Sequence, residues 1–150
     1  MTLVDLKVGQ VFTLTQEDWD SVKTKRTKNH NQRFGMAIDH HVKKIALATG
    51  ASIPEDQYAP YDFLLGSTYF DIKSYGTSSV SISDRELAFA RQCLNAGNNF
   101  EYMVFRQRLA DQFEFDGSIS LADLLSHQKV YPSQYSGVYF SVGQVRKLFQ

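Results

Sequence analysis

The stretch Tyr61-Asp62-Phe63-Leu64-Leu65-Gly66-Ser67-Thr68-Tyr69-Phe70-Asp71-Ile72-Lys73 constrains the fold more than any other part of the chain. Two runs rich in aromatic and aliphatic residues flank Gly66-Ser67. That pair reads as a two-residue turn with Gly at the first central position, as a type II′ hairpin requires. Such a turn sets the register: Leu65 opposite Thr68, Leu64 opposite Tyr69, Phe63 opposite Phe70 and Asp62 opposite Asp71. Successive strand residues point to opposite faces, so Phe63, Leu65, Phe70 and Ile72 form a core face. Asp62 and Asp71 fall on the other face, with Lys73 two residues along. Like charges directly across a strand pair destabilise it. A divalent cation shared by the two carboxylates, with an ammonium beside it, removes the conflict. The other reading is a solvated face in which Lys73 answers the acids.

The elements around the hairpin follow from periodicity and punctuation. Val4, Leu6, Val8 and Val11-Phe12 alternate weakly, which predicts a short strand pair around Gly9. A loop or short helix begins near Thr15. Phe34, Ile38, Val42 and Ile45 recur at helical spacing and predict a helix over 32–49 that ends at Gly50. After the hairpin comes a short strand, Val80–Ile82, and then Ser83 and Glu86 at capping-box spacing open a helix over 84–96. Phe100–Gln107 reads as a strand buried on both faces, and Gln112–Phe115 as another that stops at an Asp116-Gly117 turn. A short helix over 120–126, a strand over 139–142 and a helical turn over 144–149 complete the chain. Helix, hairpin, strand, helix, strand is an α/β or α+β order with helices covering a sheet.

Asp62 after Pro60-Tyr61, followed by Asp71-Ile72-Lys73, resembles the PD-(D/E)XK nuclease superfamily, which includes restriction enzymes, Holliday-junction resolvases and repair nucleases. The likeness covers roughly residues 31–105, with one extra residue between the proline and the first acid. It implies a restriction-endonuclease-like core, a central mixed β-sheet flanked by helices, within a single domain over 1–150. It also implies Mg²⁺ (or Mn²⁺) held by Asp62, Asp71 and the Ile72 carbonyl, with Lys73 positioning a water that attacks a DNA phosphodiester in line with the leaving 3′-oxygen. Hard oxygen ligands suit that metal. Relatives often carry a further acid on the preceding helix, usually Glu and often after a Gly. Asp39, after Gly35, occupies that place at the edge of the apolar stripe. Compact relatives are often phage-encoded or act in recombination and repair. Cutting both strands of a duplex commonly takes two active sites, as in a homodimer, but the sequence leaves the oligomeric state open.

Charge and composition shape the choice of partner. The 150 residues carry equal numbers of acidic and basic side chains, so no global charge draws the chain to DNA. Lys23, Lys25, Arg26, Lys28 and Arg33 nevertheless run without an intervening acid and form a candidate DNA-binding patch, or else a solvated loop. Arg106, Arg108, Arg146 and Lys147 form a second basic group. No apolar run approaches the roughly 18 residues of a membrane helix. Met1-Thr2-Leu3-Val4-Asp5 lacks the features of a signal peptide, and a cytoplasmic protein is expected. The lone Cys93 excludes an intramolecular disulfide. His40 and His41, adjacent on a helix, should point apart and so not share a metal. Nucleotide-binding glycine loops and the serine-hydrolase elbow are absent. The function expected is a metal-dependent endonuclease. The alternative is a non-catalytic nucleic-acid or protein-interaction module on the same fold.

Overall fold

The computed structural model describes residues 1–25, 28–76, 80–126, 131–132 and 138–140. Its main sheet has five strands in the order β1 (Val11–Thr13), β6 (Gln112–Ser120), β5 (Asn99–Gln107), β3 (Thr68–Tyr75), β2 (Phe63–Leu65). β3 and β5 run parallel and the other neighbours antiparallel, so the sheet is mixed. Strands β4 (Val80–Ile82), β8 (Val138–Phe140) and β7 (Tyr131–Pro132) form a second, smaller sheet. The helices are α1 (Gln16–Asp20), α2 (His30–Ala48), α3 (Asp84–Asn95) and α4 (Leu121–Ser126). The architecture is α+β. Among the described residues no helix is long and apolar enough to cross a membrane.

Each face of the sheet carries its own core. On one face, Phe34, Ala37, Ile38, Val42 and Ala46 of α2 pack on Phe63, Ile72, Met103, Phe105, Phe113 and Phe115. On the other, Leu87, Ala90 and Cys93 of α3 pack on Tyr75, Phe100, Tyr102, Val104 and Ile119. β5 therefore sits between two apolar layers, which explains its near-continuous hydrophobic sequence. The helix ends follow local chemistry. Asn29 and Ser83 cap α2 and α3 reciprocally with Gln32 and Glu86, satisfying backbone N–H groups that a first helical turn leaves bare.

The hairpin has the register that its turn dictates: Leu65 opposite Thr68, Leu64 opposite Tyr69 and Phe63 opposite Phe70. Gly66 has φ +61°, the conformation a type II′ turn demands and side chains resist. Phe63 and Ile72 are buried in the α2-side core, and Leu65 and Phe70, partly buried, pack against it. β2 is only three residues long, so β3 runs on for five residues beyond it. Among the described residues, the outer edge of β3 has no strand partner from Asp71 onward.

Two local expectations differ. The segment 4–14 does not pair with itself: Leu3–Asp5 is a 3₁₀ turn, and β1 pairs instead with β6. Leu3 and Leu6 fold onto the core while Val4 and Val8 stay exposed, so the weak alternation never marked a buried face. Asp116-Gly117 is not a turn. The register shifts opposite Val104 and Phe105, and Asp116 is the extra residue of a bulge inside β6. An Asp-Gly pair serves a bulge as well as a turn. Residues 141–150, including the expected helical turn, lie outside the described residues.

Candidate active site on the open edge of strand β3

Asp62 stands just before β2 and closes the hairpin with its own atoms. Its backbone N–H donates to the Phe70 carbonyl at 2.8 Å, and its Oδ2 accepts from the Ile72 N–H at 2.6 Å. The side chain thus replaces the next strand residue, and the Asp62–Asp71 cross-strand pair gives way to a carboxylate folded over the strand edge. An extended residue points its N–H and C=O toward the same edge, so the Ile72 carbonyl also faces this open side. Asp62 Oδ1 lies 3.4 Å from Lys43 Nζ on α2.

Asp71 is 6% exposed, among the three most buried acids described. Lys73 Nζ pairs with its Oδ2 at 3.0 Å, and this one shared ammonium is its charge partner among the described residues. Burial pushes the Asp71 carboxyl well above the usual range, and the neighbouring Asp62 pushes it further, against the attraction of Lys73. Asp39, from α2, is raised in the same way by burial and by Asp62.

Lys73 bridges the acids. Its ammonium donates to Glu86 Oε1 at 3.2 Å and Oε2 at 3.0 Å while pairing with Asp71. Burial disfavours that charge, but Asp71 and Glu86 outweigh it and hold the amine protonated beyond its ordinary range. Glu86 performs two tasks, because its carboxylate also accepts from the Ser83 N–H as the α3 cap. The capping motif made Glu86 visible in the sequence; its reach to Lys73 was not. Lys43 was missed as well, although it stands one turn after Asp39 on the same helix face.

A cavity of about 300 Å³ opens beside these groups, lined by Lys28, Gln32, Gly35, Asp39, Lys73 and Ser74 among others. Gly35 permits the close approach of α2, since a Cβ there would come within 3.0 Å of Ser74 Oγ. Of the described residues of the basic run, only Lys28 lines this cavity. Lys23 and Lys25 are exposed beyond α1, Arg33 is half-buried on α2, and Arg26 lies outside the described residues. Arg108 is tied to Glu114, and Arg146 and Lys147 also lie outside the described residues.

The edge thus gathers four carboxyls (Asp39, Asp62, Asp71, Glu86) against two ammonium groups, Lys43 and Lys73. Among the described residues no three side chains of His, Cys, Asp or Glu are grouped to hold a metal ion by themselves. The oxygen donors at hand for a hard cation are the Asp71 and Asp62 carboxylates and the edge-facing Ile72 carbonyl, a set of the chemistry Mg²⁺ takes. Among the described residues the buried Tyr102 hydroxyl has no hydrogen-bond partner, and Tyr102 is paired with Asp71 across β3 and β5.

The histidines sit elsewhere and behave differently from expectation. His40 Nδ1 and His41 Nδ1 each lie 2.7 Å from one oxygen of Asp18 on α1. They do not point apart. A carboxylate has two oxygens, and α1 crosses α2 where one oxygen can serve each ring. His30 stacks on Trp19. Cys93 is buried in the α3-side core, and burial pushes its thiol up. Against known proteins, the chain matches no family model, and no curated protein matches it either.

Proposed function

We propose that this protein is a metal-dependent deoxyribonuclease built on a PD-(D/E)XK-like core. The observation that carries the reading is the Asp71 carboxyl: buried, beside a second acid, Asp62, and answered by one ammonium, Lys73, which it shares with Glu86. Asp62, Asp71 and the Ile72 carbonyl would hold Mg²⁺ or Mn²⁺, with Asp39 on the α2 side. When bound, the ion supplies a Lewis acid for the phosphate and a water of lowered pKa.

The protein's own groups supply the rest. Lys73, kept as an ammonium by Asp71 and Glu86, acts as a donor that orients the attacking water or a phosphate oxygen. It is not a base in this state. Glu86 fixes the Lys73 rotamer through two hydrogen bonds. Lys28 and Ser74 line the cavity next to Lys73 and would meet the phosphate backbone there. The raised carboxyls of Asp71 and Asp39 match a site whose native charge balance includes a cation.

One observation favours the non-catalytic module. Lys43 already pairs with Asp62, and Lys73 with Asp71, so the cluster is partly neutralised from within. Incubation of plasmid DNA with Mg²⁺ or with a chelator separates the two readings. The nuclease reading expects metal-dependent cleavage that falls at least about 100-fold in Lys73→Met, with the fold retained. Metal-independent nicking, or cleavage at the wild-type rate in Lys73→Met, refutes it.

A further inference from the structure

We propose that Arg106, braced by Asp116 and Tyr75, is a phosphodiester-binding group that receives the DNA backbone beside the bond to be cut. The inference rests on the nuclease reading and adds a subsite to it. Alternation along β3 puts Asp71, Lys73 and Tyr75 on one face, and Tyr75 pairs with Arg106 of β5. The cluster therefore lies two residues past Lys73, about 6–7 Å along the strand. β3 and β5 are parallel and both end here, and the carboxyl ends of parallel strands are where open sheets place ligands.

The guanidinium is held by two buried residues, Tyr75 and Asp116. Its Nε donates to the Tyr75 hydroxyl at 3.0 Å, its Nη2 lies 3.5 Å from Asp116 Oδ1, and its centre lies 5.9 Å from the centroid of the Tyr75 ring. The Tyr75 hydroxyl in turn donates to Asp116 Oδ2. Tyr75 and Asp116 are buried, the latter because the β6 bulge turns it inward. Arg106 itself keeps 31% of its side chain in solvent, and among the described residues no acceptor meets its Nη1. Glu114, opposite Arg106 across β5 and β6, also favours the charge. A planar fork, oriented by buried partners and open on one side, suits a phosphate. Arg108, the neighbouring cation, is consumed by Glu114.

Fluorescence anisotropy with a 20-base-pair DNA duplex, in chelator and across a salt series, tests the subsite. Arg106→Gln should weaken binding roughly tenfold, alike for unrelated sequences, and flatten the log–log salt dependence by about one unit. Arg106→Lys should keep the slope and lose roughly threefold in affinity, because the charge survives without the fork. Arg108→Gln should leave the slope unchanged. A folded Arg106→Gln with wild-type affinity and slope overturns the subsite. If that variant does not fold, a folded Arg106→Lys with wild-type affinity overturns it instead. Wild-type protein that binds the duplex with the expected Arg106 dependence but never cuts it in Mg²⁺ removes the nuclease reading and leaves Arg106 a backbone contact. Failure of the wild type to bind removes both.

Discussion

Asp18 and Asp71 are both buried carboxylates, 0% and 6% exposed, and their surroundings treat them in opposite ways. Asp18 accepts from the Thr15 N–H at 2.8 Å, from the Thr15 hydroxyl at 2.9 Å and from both histidines of α2. Burial disfavours its charge, but these partners win and lower its pKa. Asp71 has one lysine for company, shared with Glu86, and a second acid, Asp62, beside it. There burial wins, with Asp62 adding to it, and the carboxyl is raised. A carboxylate the fold satisfies completely joins two helices. One that is buried beside a second acid, with a single lysine it must share, keeps a raised pKa.

The largest expected effect breaks the satisfied side. Asp18→Ala removes the acceptor for the Thr15 backbone and strands two partly buried histidine rings, so stability should fall by about 3–5 kcal/mol in urea unfolding. A loss under about 1 kcal/mol would mean that the clasp adds little to the docking of α1 on α2. The Asp71 side predicts the opposite sign. Asp71→Asn removes a disfavoured charge while Lys73 retains Glu86, so the metal-free protein should gain about 1 kcal/mol. A destabilised Asp71→Asn would make the Asp71–Lys73 pair a structural ion pair after all.

pH separates the two carboxylates within one molecule. The raised groups Asp71 and Asp39 bind protons more tightly folded than unfolded. Their contribution is present at acid pH and is lost as pH rises from the ordinary carboxylate range through their raised values. Asp18 is lowered, so its contribution is present above the ordinary value and is lost as pH falls through its folded value. Metal-free unfolding measured from about pH 3 to 8 should show a shallower decline toward neutral pH in Asp71→Asn, with the Asp39 part remaining, and a shallower decline toward acid in Asp18→Asn. Identical profiles for the two variants would erase the distinction. The smallest effect belongs to Lys43→Ala: its 3.4 Å pair with Asp62 is partly exposed, and the change should stay within about 1 kcal/mol.

The sequence made the hairpin legible because everything that sets it is local: Gly66, the alternation and the runs on either side. The face assignment followed, with Phe63, Leu65, Phe70 and Ile72 toward the core and Asp71 and Lys73 opposite. The caps of α3 were equally plain, since Ser83 and Glu86 are three residues apart. What stayed hidden depends on distant chain. His40 and His41 meet an acid 22 and 23 residues earlier, and adjacency on a helix suggested divergence because the crossing of α1 carries no sequence mark. Asp116 looked like a turn because a bulge uses the same residue pair. Asp62 was expected as a strand residue, but its side chain takes over the hydrogen bond that the strand would have made to Ile72.

The central claim is that the open edge of β3 is built around a cation. Titration of Mg²⁺ and Mn²⁺ into the metal-free protein, followed by calorimetry and by the melting temperature, tests it most directly. The account predicts a saturable rise in melting temperature for the wild type. It predicts no rise for Asp71→Asn, whose metal-free melting temperature starts higher. A wild type that takes up neither ion, with or without DNA, or an Asp71→Asn that gains the same stabilisation, would contradict it.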